Sequence, residues 1–85
     1  MTFERLKEIL EKEDICPADY DILGTGYIRG YDGYVIAECP VGYALYYMER
    51  GVKDLLAEFT AEHDACVALL QEFIRNDMKR LEKYI

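Results

Sequence analysis

The stretch 43–66, YALYYMERGVKDLLAEFTAEHDAC, decides the fold, because it joins the most strand-like run of the chain to the best helix start through one glycine-marked turn. In residues 43–50, Tyr43, Leu45, Tyr47 and Glu49 alternate with Ala44, Tyr46, Met48 and Arg50, so both faces of the expected strand carry aromatic or apolar bulk. One face must cover helices. The other meets a partner or stands as a tyrosine-rich sheet surface, although tyrosines also suit half-buried strands in their own right, ring packed and hydroxyl wet.

Residues 51–59 fit two periods. Val52, Leu55, Leu56 and Phe59 make a helical face, whereas Lys53, Leu55, Ala57 and Phe59 alternate as in a strand. Thr60 tips the balance, since as an N-cap it opens a separate helix with Glu62 in its first turn, where the helix dipole favours negative charge. The expectation is a fourth strand at about 53–59, with one continuous helix from Val52 onward as the alternative. The last helix is then expected over 61–83, with Cys66, Val67, Leu70, Phe73, Ile74, Met78 and Leu81 on one stripe and Lys79, Arg80 and Lys83 in its final turn.

Upstream, residues 2–13 read as a helix with Phe3, Leu6, Ile9 and Leu10 at helical spacing, Thr2 as N-cap, and an end near Asp14 imposed by Pro17. Residues 20–30 mix strand formers with glycines. Gly24, Gly26 and Gly30 do not make a dinucleotide fingerprint, because the third glycine comes one residue late and no helix follows; a glycine-interrupted strand or bulge accounts for them better. Asp32-Gly33 between tyrosines predicts a tight hairpin joining two antiparallel strands, followed by a strand over 34–39 and a second turn at 40–42. The fold class expected is α+β: an N-terminal helix, an antiparallel β-meander of three to four strands, and a long C-terminal helix packed on one sheet face.

Eighty-five residues support one core and therefore one domain, and an apolar fraction of 52% with a charged fraction of 32% is that of a globular chain. The net charge of −7 speaks against nucleic acid, whose phosphates require clustered Lys and Arg, and suits a basic protein partner. Cys16, Cys39 and Cys66 are an odd, scattered set that predicts neither a disulfide framework nor a zinc site. With no signal peptide at the start and no apolar run of spanning length, no membrane association and a cytoplasmic setting are expected.

No constellation of catalytic or metal-binding type emerges. His63 is the single histidine; with Cys66 three residues away it supplies two ligands, short of a zinc site, and Cys66 faces the expected core rather than the exposed electropositive setting of a reactive thiol. No catalytic residue, cofactor or metal is therefore expected, and the chain reads as a non-enzymatic protein.

The run YYMERG at 46–51, followed by FTAEHDAC at 59–66, resembles a pattern found in small bacterial immunity proteins of polymorphic toxin systems, in which an aromatic strand ends in E-R-G, a short strand ends in Phe, and an acidic helix start leads into Ala-Cys. The likeness covers about the last forty residues. His63 stands where that pattern has an acidic residue, and Tyr43 stands for its tryptophan. The resemblance implies a hairpin turn at Gly51 and a cytoplasmic, non-catalytic protein that binds and neutralises a cognate toxin.

Tyr and Arg are favoured anchors at interface centres, and an acidic surface suits a basic target. The partner-binding residues expected on these grounds are Tyr46, Tyr47, Glu49, Arg50, Asp54, Glu58 and Glu62. A cross-strand ion pair beside the turn is the alternative role for Glu49 and Arg50. The competing function is a homodimer, structural or regulatory, that buries the aromatic face.

Overall fold

A computed structural model of the protein describes residues 1–24 and 32–85. The chain opens with helix α1, Phe3–Lys12, whose N-cap is Thr2: its backbone is extended and its hydroxyl accepts a hydrogen bond from the Arg5 N–H at 3.2 Å. Phe3, Leu6, Ile9 and Leu10 are buried, as their spacing predicts. The helix ends in a Schellman motif with Asp14 at a left-handed φ of 58°, its N–H bonding the Glu11 carbonyl while the Ile15 N–H bonds the Leu10 carbonyl. That geometry turns Ile15 back into the core.

After a short 3₁₀ turn at Pro17–Asp19, four strands form one sheet in the order β1 (Tyr20–Ile22), β2 (Gly33–Cys39), β3 (Gly42–Glu49) and β4 (Val52–Phe59). From β2 onward it is the expected meander, closed by a two-residue turn at Pro40-Val41 and another at Arg50-Gly51. Arg50 and Gly51 take φ values of 51° and 82°, the positive pair that a tight hairpin needs to match the right-handed twist of its strands. Gly42 is fixed by close approach, since a Cβ there would lie 2.5 Å from the Phe59 carbonyl oxygen. The fourth strand expected at 53–59 is therefore present, and the continuous helix from Val52 is not.

The sheet is mixed and not purely antiparallel. β1 runs parallel to β2, with Tyr20 beside Tyr34 and Ile22 beside Ile36, so the antiparallel hairpin expected at Asp32-Gly33 does not join these strands. Gly33 is instead the buried first residue of β2, opposite Met48. Burying Tyr20 and Ile22 in the shared core outweighs the local turn preference of Asp-Gly. The glycine-interrupted strand expected over 20–30 lies, beyond Gly24, outside the described residues.

Helix α2, Glu62–Arg75, covers the same sheet face as α1 and buries Ala65, Cys66, Leu69, Leu70 and Phe73. It is shorter than the expected 61–83, and its buried stripe includes Ala65 and Leu69 where Val67 was expected. A second Schellman motif stops it: Asp77 has a φ of 72°, its N–H bonds the Ile74 carbonyl, and the Met78 N–H bonds the Phe73 carbonyl at 3.2 Å. A 3₁₀ segment, Lys79–Tyr84, then carries Leu81 back into the core. It is clasped to the end of α1, where the Glu13 carboxylate accepts from the Tyr84 hydroxyl at 2.6 Å and pairs with Lys83 at 3.2 Å and Arg80 at 3.5 Å.

Thr60 does not cap α2. The N-cap position falls on Ala61, which has no side chain able to accept a bond. Glu62 instead turns its carboxylate to the Phe3 N–H, 2.6 Å away, so one acidic side chain serves an orphan donor of α1 while sitting at the positive end of α2.

Candidate functional site

α2 stops at Arg75, before the end of the sheet beneath it, and the shortfall opens a cleft of about 550 Å³ between the sheet and the helix end. Its floor is aromatic. Tyr34 on β2 and Tyr47 on β3 are register partners with ring centroids 5.1 Å apart, and Phe73 of α2 meets Tyr34 edge-on at 5.4 Å. Asn76, the C-cap of α2, is held by two bonds from its side-chain amide, one to the Tyr34 hydroxyl at 2.8 Å and one to the Glu72 carbonyl at 2.9 Å.

The rim is acidic. Asp19, Asp32, Asp54 and Glu72 line it with Leu56 and Met78, and among the described residues no basic side chain is part of the lining. Arg75 pairs with Glu72 at 3.4 Å through a guanidinium that stays largely exposed. The field is felt by the phenols. Burial first, then the carboxylates of Asp32, Glu49 and Asp19, push Tyr47 above its ordinary pKa, and burial likewise raises Tyr34 against the opposing bond from Asn76. Both tyrosines therefore present neutral hydroxyls and electron-rich ring faces.

The seven residues expected to bind a partner do not form one surface. Tyr47 and Asp54 are register partners in the cleft. Tyr46 lies on the opposite sheet face, half-buried, with the Lys53 ammonium 5.5 Å from its ring centroid, and Glu58 is exposed on that same face beside Ala44. Glu49 and Arg50 sit exposed at the β3–β4 hairpin, and among the described residues no ion pair joins them; Arg50 is a turn residue with no strand position from which to pair. Glu62 is at the other end of α2, occupied by Phe3.

Sequence reasoning missed Asp19, Asp32, Tyr34, Glu72 and Asn76, which come from three separate stretches of the chain. The signal that could have exposed them is Asn76-Asp77, a pair that tolerates left-handed backbone and so marks a helix end.

The cleft contains phenols, carboxylates and an amide, with neither histidine nor cysteine among its described lining residues. Among the described residues no group of three or more His, Cys, Asp or Glu side chains is placed to hold a metal ion. His63 is elsewhere, its Nδ1 2.7 Å from the Met1 amino group, and the buried Cys66 thiol is pushed up to about 11, chiefly by burial with Glu62 adding to it. Cys66 is thus a protonated packing residue at neutral pH. What the cleft can do chemically is hold a cation, by ring faces from below and carboxylates from the sides. No helix among the described residues is long and apolar enough to cross a membrane. The chain matches no model of a known family, no curated protein and no solved structure in the comparisons made.

Proposed function

We propose that the protein is a non-catalytic, cytoplasmic protein-binding module that receives a basic side chain of its partner in the acidic, tyrosine-walled cleft, in the manner of an immunity protein that blocks a cognate toxin. The observation that carries this reading is the convergence of Tyr34, Tyr47, Asp54 and Glu72 on one opening that, among the described residues, no basic side chain lines. A lysine or arginine entering there would gain ring-face and carboxylate contacts together, partly shielded from water. The chain's net charge of −7 would speed encounter with a basic target.

The resemblance at YYMERG and FTAEHDAC supports the same reading from the sequence side, and Tyr47 is the residue common to both arguments. Glu62 leaves the set, because its carboxylate is already committed to Phe3. Glu49 and Arg50 stand at the β3–β4 hairpin, outside the residues that line the cleft.

The experiment is co-expression with the product of the neighbouring reading frame, scored by co-purification and by relief of growth arrest. Tyr47→Ala combined with Asp54→Lys is expected to weaken the complex at least about thirtyfold, as loss of a central anchor does. Undiminished binding by the folded double variant, with loss instead on changing Tyr46 and Glu58, would move the site to the opposite face and overturn the proposal.

A further inference from the structure

β4 ends the sheet order, so along its outer edge the backbone N–H and C=O groups of alternate residues in an eight-residue strand have no neighbouring strand among the described residues. Val52, Leu55 and Leu56 on it are 62%, 54% and 42% exposed. A long apolar edge of this kind is a template for another strand, and proteins usually blunt it with charges or a bulge. β4 has both: Lys53, Asp54 and Glu58, and a register break opposite Leu45 and Tyr46 that leaves Leu56 as the extra residue.

The placement of those features selects an occupant. Register with β3 puts Lys53, Leu55 and Glu58 on the sheet face turned away from the two helices and Val52, Asp54, Ala57 and Phe59 on the helix-covered face; the bulge at Leu56 shifts the alternation between Leu55 and Ala57. An antiparallel second copy related by a two-fold axis between Leu55 and Leu56 would set Lys53 opposite Glu58, Val52 opposite Phe59 and Asp54 opposite Ala57. These three pairs join like faces, the bulge residues Leu55 and Leu56 of the two copies meet at the axis, and Lys53 meets an opposite charge on both sides of it. Sliding the partner by one residue either way sets residues of the face turned away from the helices against helix-face residues. The bulge that would deter an arbitrary strand therefore fits this one, because it is what lets the charge-matched register also be face-matched.

We infer that the β4 edge pairs with the β4 edge of a second copy of this chain, in that register, so that the two four-stranded sheets become one continuous sheet. The inference stands independently of the partner reading. It leaves the clefts of both copies on the same side of the joint sheet. The interface is a single strand pair, so the dimer is weak and concentration-dependent.

Sedimentation equilibrium of the full chain tests it. The parent chain is expected to show a reversible monomer–dimer equilibrium. Lys53→Glu and Glu58→Lys are each expected to weaken association at least about tenfold, since each turns two attractive pairs into repulsive ones. An equimolar mixture of the two single variants is expected to regain the dimer. In the mixed pair the carboxylate introduced at position 53 of one copy faces the ammonium introduced at position 58 of the other, and the unchanged Glu58 of the first faces the unchanged Lys53 of the second. That regain also shows both variants to be folded. A parent chain that stays monomeric up to its solubility limit overturns the inference, as does a dimer indifferent to both reversals.

Discussion

Tyr43 and Tyr47 sit four residues apart on one face of β3, and their surroundings differ. Tyr43 is partly buried against the core, with Phe3 packed edge-on against it at 4.9 Å, at the end that is sealed where Glu62 ties the starts of the two helices together. Tyr47 lies at the end where α2 has stopped, and it looks into the acidic cleft. The same residue type on the same strand face is thus structural at one end and available at the other. The helical layer makes the difference, through where each helix begins and ends.

Mutation should separate the two ends. The largest effect is expected at the sealed end: Phe3→Ala removes the cover on Tyr43 and should cost about 3 kcal/mol of stability, whereas Tyr47→Ala should cost about 1 kcal/mol, both read from urea unfolding. Comparable losses would mean that the cleft end is core in all but exposure. Next is Glu62→Ala, which leaves the Phe3 N–H without its acceptor and is expected to lower stability by about 1 to 2 kcal/mol while leaving the cleft residues' amide resonances unmoved. Disturbed resonances at Tyr34 or Asn76 would show the two ends to be coupled.

The smallest effect concerns the clasp of Glu13 with Tyr84, Lys83 and Arg80. The Tyr84 bond first, then Lys83, holds the Glu13 carboxyl below its ordinary value of 4.5, so its folded-state pKa is depressed. Such a group stabilises the fold above its unfolded value, and the contribution disappears as pH falls through the lowered one. The urea midpoint of the parent chain should therefore drop more steeply below about pH 4.5 than that of Glu13→Gln. Parallel pH profiles would show that the clasp adds nothing.

Much of the sealed end was legible in the sequence. Phe3, Leu6, Ile9 and Leu10 announced α1 by spacing, Thr2 announced its cap, and E-R-G announced the β3–β4 turn because few residues besides glycine accept the φ found at Gly51. The cleft end was less so. The stripe running on through Met78 and Leu81 reports burial and not helicity, and Leu81 is buried from a 3₁₀ segment as fully as it would be from a helix. Asp77 ends α2 in a conformation that sequence patterns assign first to glycine. β1, three residues long, is too short for alternation to reveal, and its parallel partner depends on long-range burial that the local Asp-Gly signal contradicts. Of the seven residues expected to bind a partner, Tyr47 and Asp54 meet in the cleft because cross-strand register is readable from a turn; the contributions of β2 and α2 depend on the fold as a whole.

The central claim is that the open end takes a basic side chain, and the most direct measurement is a ¹H–¹⁵N chemical-shift titration of the full chain with N-acetyl-arginine amide, using N-acetyl-leucine amide as the control. Only the arginine probe is expected to shift resonances, with the shifts clustered at Tyr34, Tyr47, Asp54 and the Asn76 side-chain amide and abolished by Asp54→Lys. Shifts scattered evenly over the acidic surface, or equal shifts with the leucine probe, would contradict the claim.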